Sequence, residues 1–153
     1  MGGNRSDEVT SAEPGFVVAL GVFGLLADQR ELTLVRDDLR ELSGCIPESE
    51  RGAVASYLRA GRIVLAIMEY TRDVLDGRFG VSGGSAIQTD GVYYWRRDAA
   101  DYVEHYGSNL PKDFLEQGRR LGWSLPPLTD ARVLAIDDYL SQHIRRLPSQ
   151  TMR

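Results

Sequence analysis

Gly83-Gly84-Ser85-Ala86-Ile87-Gln88-Thr89-Asp90-Gly91-Val92-Tyr93-Tyr94-Trp95-Arg96-Arg97-Asp98-Ala99-Ala100-Asp101-Tyr102-Val103-Glu104-His105-Tyr106 joins a hairpin signal to a helical one. Asp90-Gly91 lies between two short runs with β-branched or aromatic residues, Ser85–Gln88 and Val92–Trp95. A type I′ turn needs positive φ at both central residues, and Asp-Gly tolerates it, so the pattern predicts a tight hairpin. After Trp95 the period changes. Ala99, Tyr102, Val103 and Tyr106 share one helical face, with Arg96, Arg97, Asp101 and Glu104 mostly on the other. A hairpin therefore feeds directly into an amphipathic helix.

Working outward, the pattern becomes helical on both sides. Pro47 and Glu48 open a helix that carries Val54, Tyr57 and Leu58 and ends near Gly61. Arg62 to Tyr70 is apolar on both faces of a strand and is expected to be a central strand covered on both sides. A helix continuing from Tyr57 through Leu75 is its rival. Asp73 to Gly84 reads as a glycine-punctuated loop. Gly107-Ser108-Asn109 closes the helix after the hairpin, and Leu110-Pro111 starts a short one with Phe114 and Leu115 inward. Thr129 is placed to cap a last helix with the stripe Val133, Ile136, Leu140, Ile144 and Leu147, ended by Pro148.

Nearer the start, Phe16, Leu20, Phe23 and Ala27 recur at helical spacing after Pro14, in an element apolar almost all round. Gly21 and Gly24 within it mark an interruption or close packing. The Phe16–Leu26 element is either a core helix or a homodimer surface. From Glu31 to Leu42, Leu32, Val35, Leu39 and Leu42 step by three and four, which predicts one amphipathic helix stopped at Gly44. The expected fold is α+β: a small antiparallel sheet of about three strands, its hairpin at Asp90-Gly91, packed by five or six helices. Residues 1–13 read as a disordered leader, 14–148 as one globular domain and 149–153 as a tail.

Composition narrows the function classes. With 153 residues, 42% hydrophobic and 26% charged, the chain suits one ordinary globular core. A net charge of −4 argues against direct nucleic-acid binding, which needs gathered Lys and Arg. A single cysteine, Cys45, excludes an intramolecular disulfide and a cysteine-rich zinc site, and suits the cytoplasm. The opening Met1-Gly2-Gly3-Asn4-Arg5-Ser6 matches a loose myristoylation pattern, but no membrane association is expected.

The segment from Ser56 to Gln117 resembles a family of small bacterial proteins, well represented in actinomycetes. The features are Tyr57-Leu58-Arg59-Ala60-Gly61, Asp73 with the glycine-rich loop, Thr89-Asp90-Gly91 with its aromatic pair and Trp95, the helix with Tyr102, and Leu110-Pro111-Lys112-Asp113-Phe114. The resemblance implies an immunity-type or similar interaction protein, since related small proteins are often encoded near secreted toxins.

Candidate chemistry is sparse. Asp101 and His105, four apart on a helix, could form an acid/base pair or ligate a metal, but the sequence supplies no further ligands, so neither a metal nor a cofactor is expected. His143 reads as a surface residue. Gly77–Ser85 could cradle a phosphate through its N–H groups, though it lacks a Walker lysine and the Rossmann spacing. Tyr93, Tyr94, Arg96 and Arg97, with Asp98, Asp101 and Glu104 on the following helix, have the composition of a protein-binding hot spot. The favoured reading is a non-enzymatic cytoplasmic recognition protein that neutralises a toxin or similar protein partner through those seven residues. The alternative is a small-molecule or nucleotide-binding module using Gly77–Ser85 with Asp73, Asp76 or Asp90, and a hydrolase on Asp101 and His105 ranks third.

Overall fold

The hairpin sits at the centre of a computed structural model that describes residues 16–26 and 29–146. The expected leader at 1–13, Pro14, Ala27, Leu147, Pro148 and the tail at 149–153 lie outside those residues. In chain order the elements are β1 (Val18–Ala19), a 3₁₀ turn (Gly21–Gly24), α1 (Gln29–Leu34), α2 (Arg36–Glu41), α3 (Glu48–Ala60), β2 (Arg62–Leu65) and β3 (Tyr70–Arg72). Then follow β4 (Gly80–Ser82), β5 (Ile87–Thr89), β6 (Tyr93–Arg96), α4 (Ala99–Tyr106), α5 (Lys112–Arg120) and α6 (Asp130–Arg146). The fold is α+β. Its main sheet has four strands in the order β1-β6-β5-β2, beside a two-stranded ribbon of β3 and β4.

The hairpin forms, with a shifted turn. Thr89 pairs with Tyr94 and Gln88 with Trp95, and the Asp90 N–H reaches the Tyr93 carbonyl at 3.4 Å, so Gly91-Val92 is the turning pair. Gly91 has φ +98 and Val92 is not left-handed, which is the type II′ pattern rather than I′. Asp90 acts one position earlier, its Oδ1 accepting from the N–H groups of Val92 (2.9 Å) and Tyr93 (2.8 Å). A short carboxylate that caps its own turn is favoured there for that reason.

β5 and β6 are the covered central strands. On one face Trp95 is fully buried, donates its indole N–H to the Leu58 carbonyl at 3.1 Å and meets Phe114 of α5. On the other, Ile87 and Tyr94 pack with Val17, Val64 and the Ile136 and Leu140 stripe of α6. The Thr129 hydroxyl accepts the Arg132 N–H at 3.1 Å at the start of α6, as the cap spacing predicts. α4 buries Ala99, Tyr102, Val103 and Tyr106 and ends at Gly107 with φ +63, and α5 buries Phe114 and Leu115. These elements follow their periodicity.

Four expectations are corrected. Arg62–Tyr70 is not one central strand: β2 ends at Leu65 on the edge of the sheet with Ile63 48% exposed, and Tyr70 starts a separate ribbon. Phe16–Leu26 is not an α-helix. Val18 N–H bonds to the Val92 carbonyl and Leu20 N–H to that of Tyr94, so β1 runs parallel to β6 and the sheet is mixed. Gly24 then lies so close to Ala19 that a Cβ would fall 2.3 Å from the alanine methyl, which identifies that glycine as a packing residue. Val17, Leu20 and Phe23 are buried in the chain's own core. The Glu31–Leu42 helix is two helices broken at Val35 (φ −107, ψ 24), and Asp73–Gly84 contains β4, paired residue for residue with β3.

Candidate functional site

The aromatic and arginine cluster divides into buried and exposed members. Arg96 and Asp98 are 0% and 1% exposed. Two residues apart across the β6–α4 junction, they form a bidentate pair, Nε to Oδ1 and Nη2 to Oδ2 each at 3.0 Å, while Thr71 Oγ donates to Asp98 Oδ2 at 2.9 Å. This matched fork geometry satisfies two charges removed from water and ties the ribbon to the start of α4. Tyr94 is buried under α6, and Tyr93 is half-buried edge-on to Phe114 at 5.2 Å. Tyr94, Arg96 and Asp98 therefore present no surface to a partner, a correction to the seven-residue hot spot.

Other acids are engaged in holding loops. Asp90 accepts the Tyr57 hydroxyl at 2.6 Å, and burial, reinforced by that carboxylate, pushes the Tyr57 phenol well above its ordinary pKa. Asp73 accepts the N–H groups of Leu75 and Arg78, both at 2.8 Å, and the Tyr106 hydroxyl. Burial and the Asp73 bond push Tyr106 up to about 12. Asp76 pairs with Arg40 at 3.5 Å on the surface. Within the glycine-rich segment, Ser85 is 1% exposed and donates to Glu69 Oε1 at 2.7 Å, and Gly84 packs against Thr71. Asp73, Asp90 and Ser85 are thus engaged in holding the fold, and within Gly77–Ser85 the exposed residues are Gly77, Arg78, Gly80 and Ser82.

The exposed members come together. Arg97 and Glu104 are exposed and Asp101 half-buried. Arg59, near the end of α3, bridges two of them, its Nη2 donating to Asp101 Oδ1 at 3.1 Å and to Glu104 Oε1 at 2.6 Å. The Arg59 bond draws Glu104 below the ordinary carboxylate range, whereas burial raises Asp101 despite the same guanidinium. His105 bonds through Nδ1 with the Asp101 carbonyl at 3.0 Å and lies against the Phe79 ring. Ligand atoms of Asp101, Glu104 and His105 lie within 4.8 Å of one another, but Arg59 already sits on both carboxylates, so a metal cation would have to displace it. His143 is exposed.

Between Arg59, β4, Gln88 of β5 and the start of α4 at Arg97 and Asp101 lies a recess of about 320 Å³. It is the meeting point of α3, the ribbon and α4, which pack directly or through Thr71 and the Arg96–Asp98 pair. Arg59 and Gln88 are additions to the sequence-derived set, whereas Gly80, Val81 and Ser82 belong to the Gly77–Ser85 segment of the alternative reading. Arg59 stood in the family-like helix with no role attached. Gln88 stands between Ile87 and Thr89 in β5 and gave no signal. Among the described residues no helix is long and apolar enough to cross a membrane. Comparison with protein-family models, with characterised proteins and with solved structures finds no match for the chain.

Proposed function

We propose that the protein is a non-enzymatic recognition protein of the cytoplasm, an immunity-type protein that binds and neutralises a toxin or similar protein partner. One observation carries the reading: Arg59, Arg97 and Asp101 line a surface recess to which Glu104 is tied through Arg59, while the neighbouring buried polar groups, Arg96, Asp98, Asp90 and Asp73, are engaged in holding the fold. Rigidly positioned charges on packed helices, with aromatics behind them, provide the rim and support that a specific protein interface needs. The net charge of −4 favours a basic partner, because complementary potentials steer association. The resemblance of Ser56–Gln117 to a family of small bacterial proteins implies the same class.

The test compares affinity capture from the native host by the wild type and by an Arg97→Glu/Glu104→Lys variant, which holds net charge constant while reversing the surface pattern. The expected result is one stoichiometric protein partner, lost from the variant, whose toxicity on expression is relieved by the wild type. A partner held equally by both overturns the assignment of the surface. A partner that is harmless on expression overturns the immunity reading.

A further inference from the structure

A second recess, of about 310 Å³, opens where the 3₁₀ turn meets the entry to α5. Its floor is Leu20, Phe23 and Leu110, all buried in the main core, and its walls are the half-buried Val22, Leu42 and Pro111. The Asn109 N–H donates to the Leu42 carbonyl at 2.9 Å, which ties two of the walls together. Gly21 holds φ +54, and a Cβ there would come within 3.6 Å of the Pro111 ring, so the missing side chain leaves the mouth open. The rim carries one sign of charge. Lys112 is exposed and makes no ion pair among the described residues, and no carboxylate lines the recess. Lys112 also opens α5, whose first turn has no side-chain cap, so the helix dipole adds to the same pole. The acid of that turn, Asp113, is exposed and is not among the lining residues.

We infer that this recess binds a short-chain aliphatic carboxylate. The tail would fill the space between Val22, Leu42 and Pro111. The carboxylate would sit at the rim against the Lys112 ammonium, with the half-buried Asn109 side chain beside it. Both ends of the ligand follow from the walls. Apolar walls give inorganic phosphate nothing to bury against them, and a lone cation matches a single negative charge. An amine with the same tail would bring its own charge against Lys112. The volume is at the small end of ligand sites, which suits a short chain and leaves no room for a long one. This recess shares no lining residue with the one around Arg59, so the site is independent of the proposed function.

The experiment is a two-dimensional amide NMR titration of the full-length protein with pentanoate and isovalerate. Acetate is the control without a tail, pentanol the control without a charge, and pentylammonium the control with the opposite charge. The expected result is a saturable shift of the Val22 and Lys112 backbone amides with at least one of the two acids. Affinity should rise about fourfold for each methylene buried between acetate and pentanoate, and every control should bind more weakly than the acids. Lys112→Gln should keep the wild-type melting temperature, since the side chain is exposed and unpaired. It should weaken binding about tenfold or more, the worth of one charge-assisted hydrogen bond, whereas Lys112→Arg should retain it. No saturable shift at these residues with either acid would overturn the proposal. So would a control that binds as tightly as the acids, or unchanged affinity in Lys112→Gln.

Discussion

Replacing Asp98 by alanine should be among the most damaging single changes in the chain, although it removes only a small side chain from a junction that reads as surface in the sequence. Asp98 is 1% exposed and accepts three hydrogen bonds, two from Arg96 and one from Thr71. Its removal leaves the fully buried Arg96 guanidinium without its carboxylate, and breaking a buried pair on one side costs about 3–5 kcal/mol. The whole stability of such a domain is about 5–15 kcal/mol, so the variant should lie close to unfolding. The double variant Arg96→Met/Asp98→Ala removes both charges and should recover at least about 1.4 kcal/mol of the loss, because apolar replacement of a buried pair approaches neutrality. Urea titration followed by tryptophan fluorescence measures both. An Asp98→Ala protein within about 1 kcal/mol of wild type would refute the reasoning, since a cost that small belongs to a solvated, exposed pair.

Gly91→Val should destabilise by about 1–3 kcal/mol, because a β-branched residue would have to hold φ +98; unchanged thermal melting would mean the turn can be remade. Trp95→Ala should cost about 3–5 kcal/mol, since the indole is fully buried, and a smaller loss by denaturant titration would mean the site collapses around the cavity. Raising pH should destabilise the fold above the ordinary tyrosine range. Tyr57, Tyr102 and Tyr106 are all shifted upward, chiefly by burial, so their contribution is complete below about pH 10 and is lost as pH rises through the folded values, about 12 for Tyr106. Phenolate absorbance should show Tyr106 titrating late, and Tyr106→Phe should remove its share of the alkaline loss; titration of all seven tyrosines near pH 10 would contradict this.

The parts of the fold legible in the sequence are those with one periodicity and one buried face. α3, α4, α5 and the start of α6 announce themselves through Val54 and Tyr57, Ala99 and Tyr102, Phe114 and Leu115, and Thr129. Phe16–Leu26 was opaque because residues apolar all round satisfy helical and extended periods alike, and its pairing partner lies some seventy residues away at Tyr93 and Tyr94. The β3–β4 ribbon escaped because its strands are short and largely exposed, with only Thr71 buried. The hot-spot reading mixed two populations for a local reason. Arg96 and Asp98 lie on either side of a strand-to-helix turn that folds them onto each other, a contact that neither the two-residue nor the helical period encodes. Gln88 belongs to the site only because α3 ends against it, which no local pattern reports.

In the proposed function, the acids at the rim of α4 help to steer a basic protein partner onto this surface. The measurement that tests it most directly is the association rate of the captured partner with wild-type protein and with Glu104→Lys, at low and at high salt. Glu104 is exposed, so the fold should tolerate the change at a cost of about 0–1 kcal/mol. Association of the variant should be slower at low salt, the difference should fade as salt screens the charges, and dissociation should change little. Association rates that match at every salt concentration would contradict it.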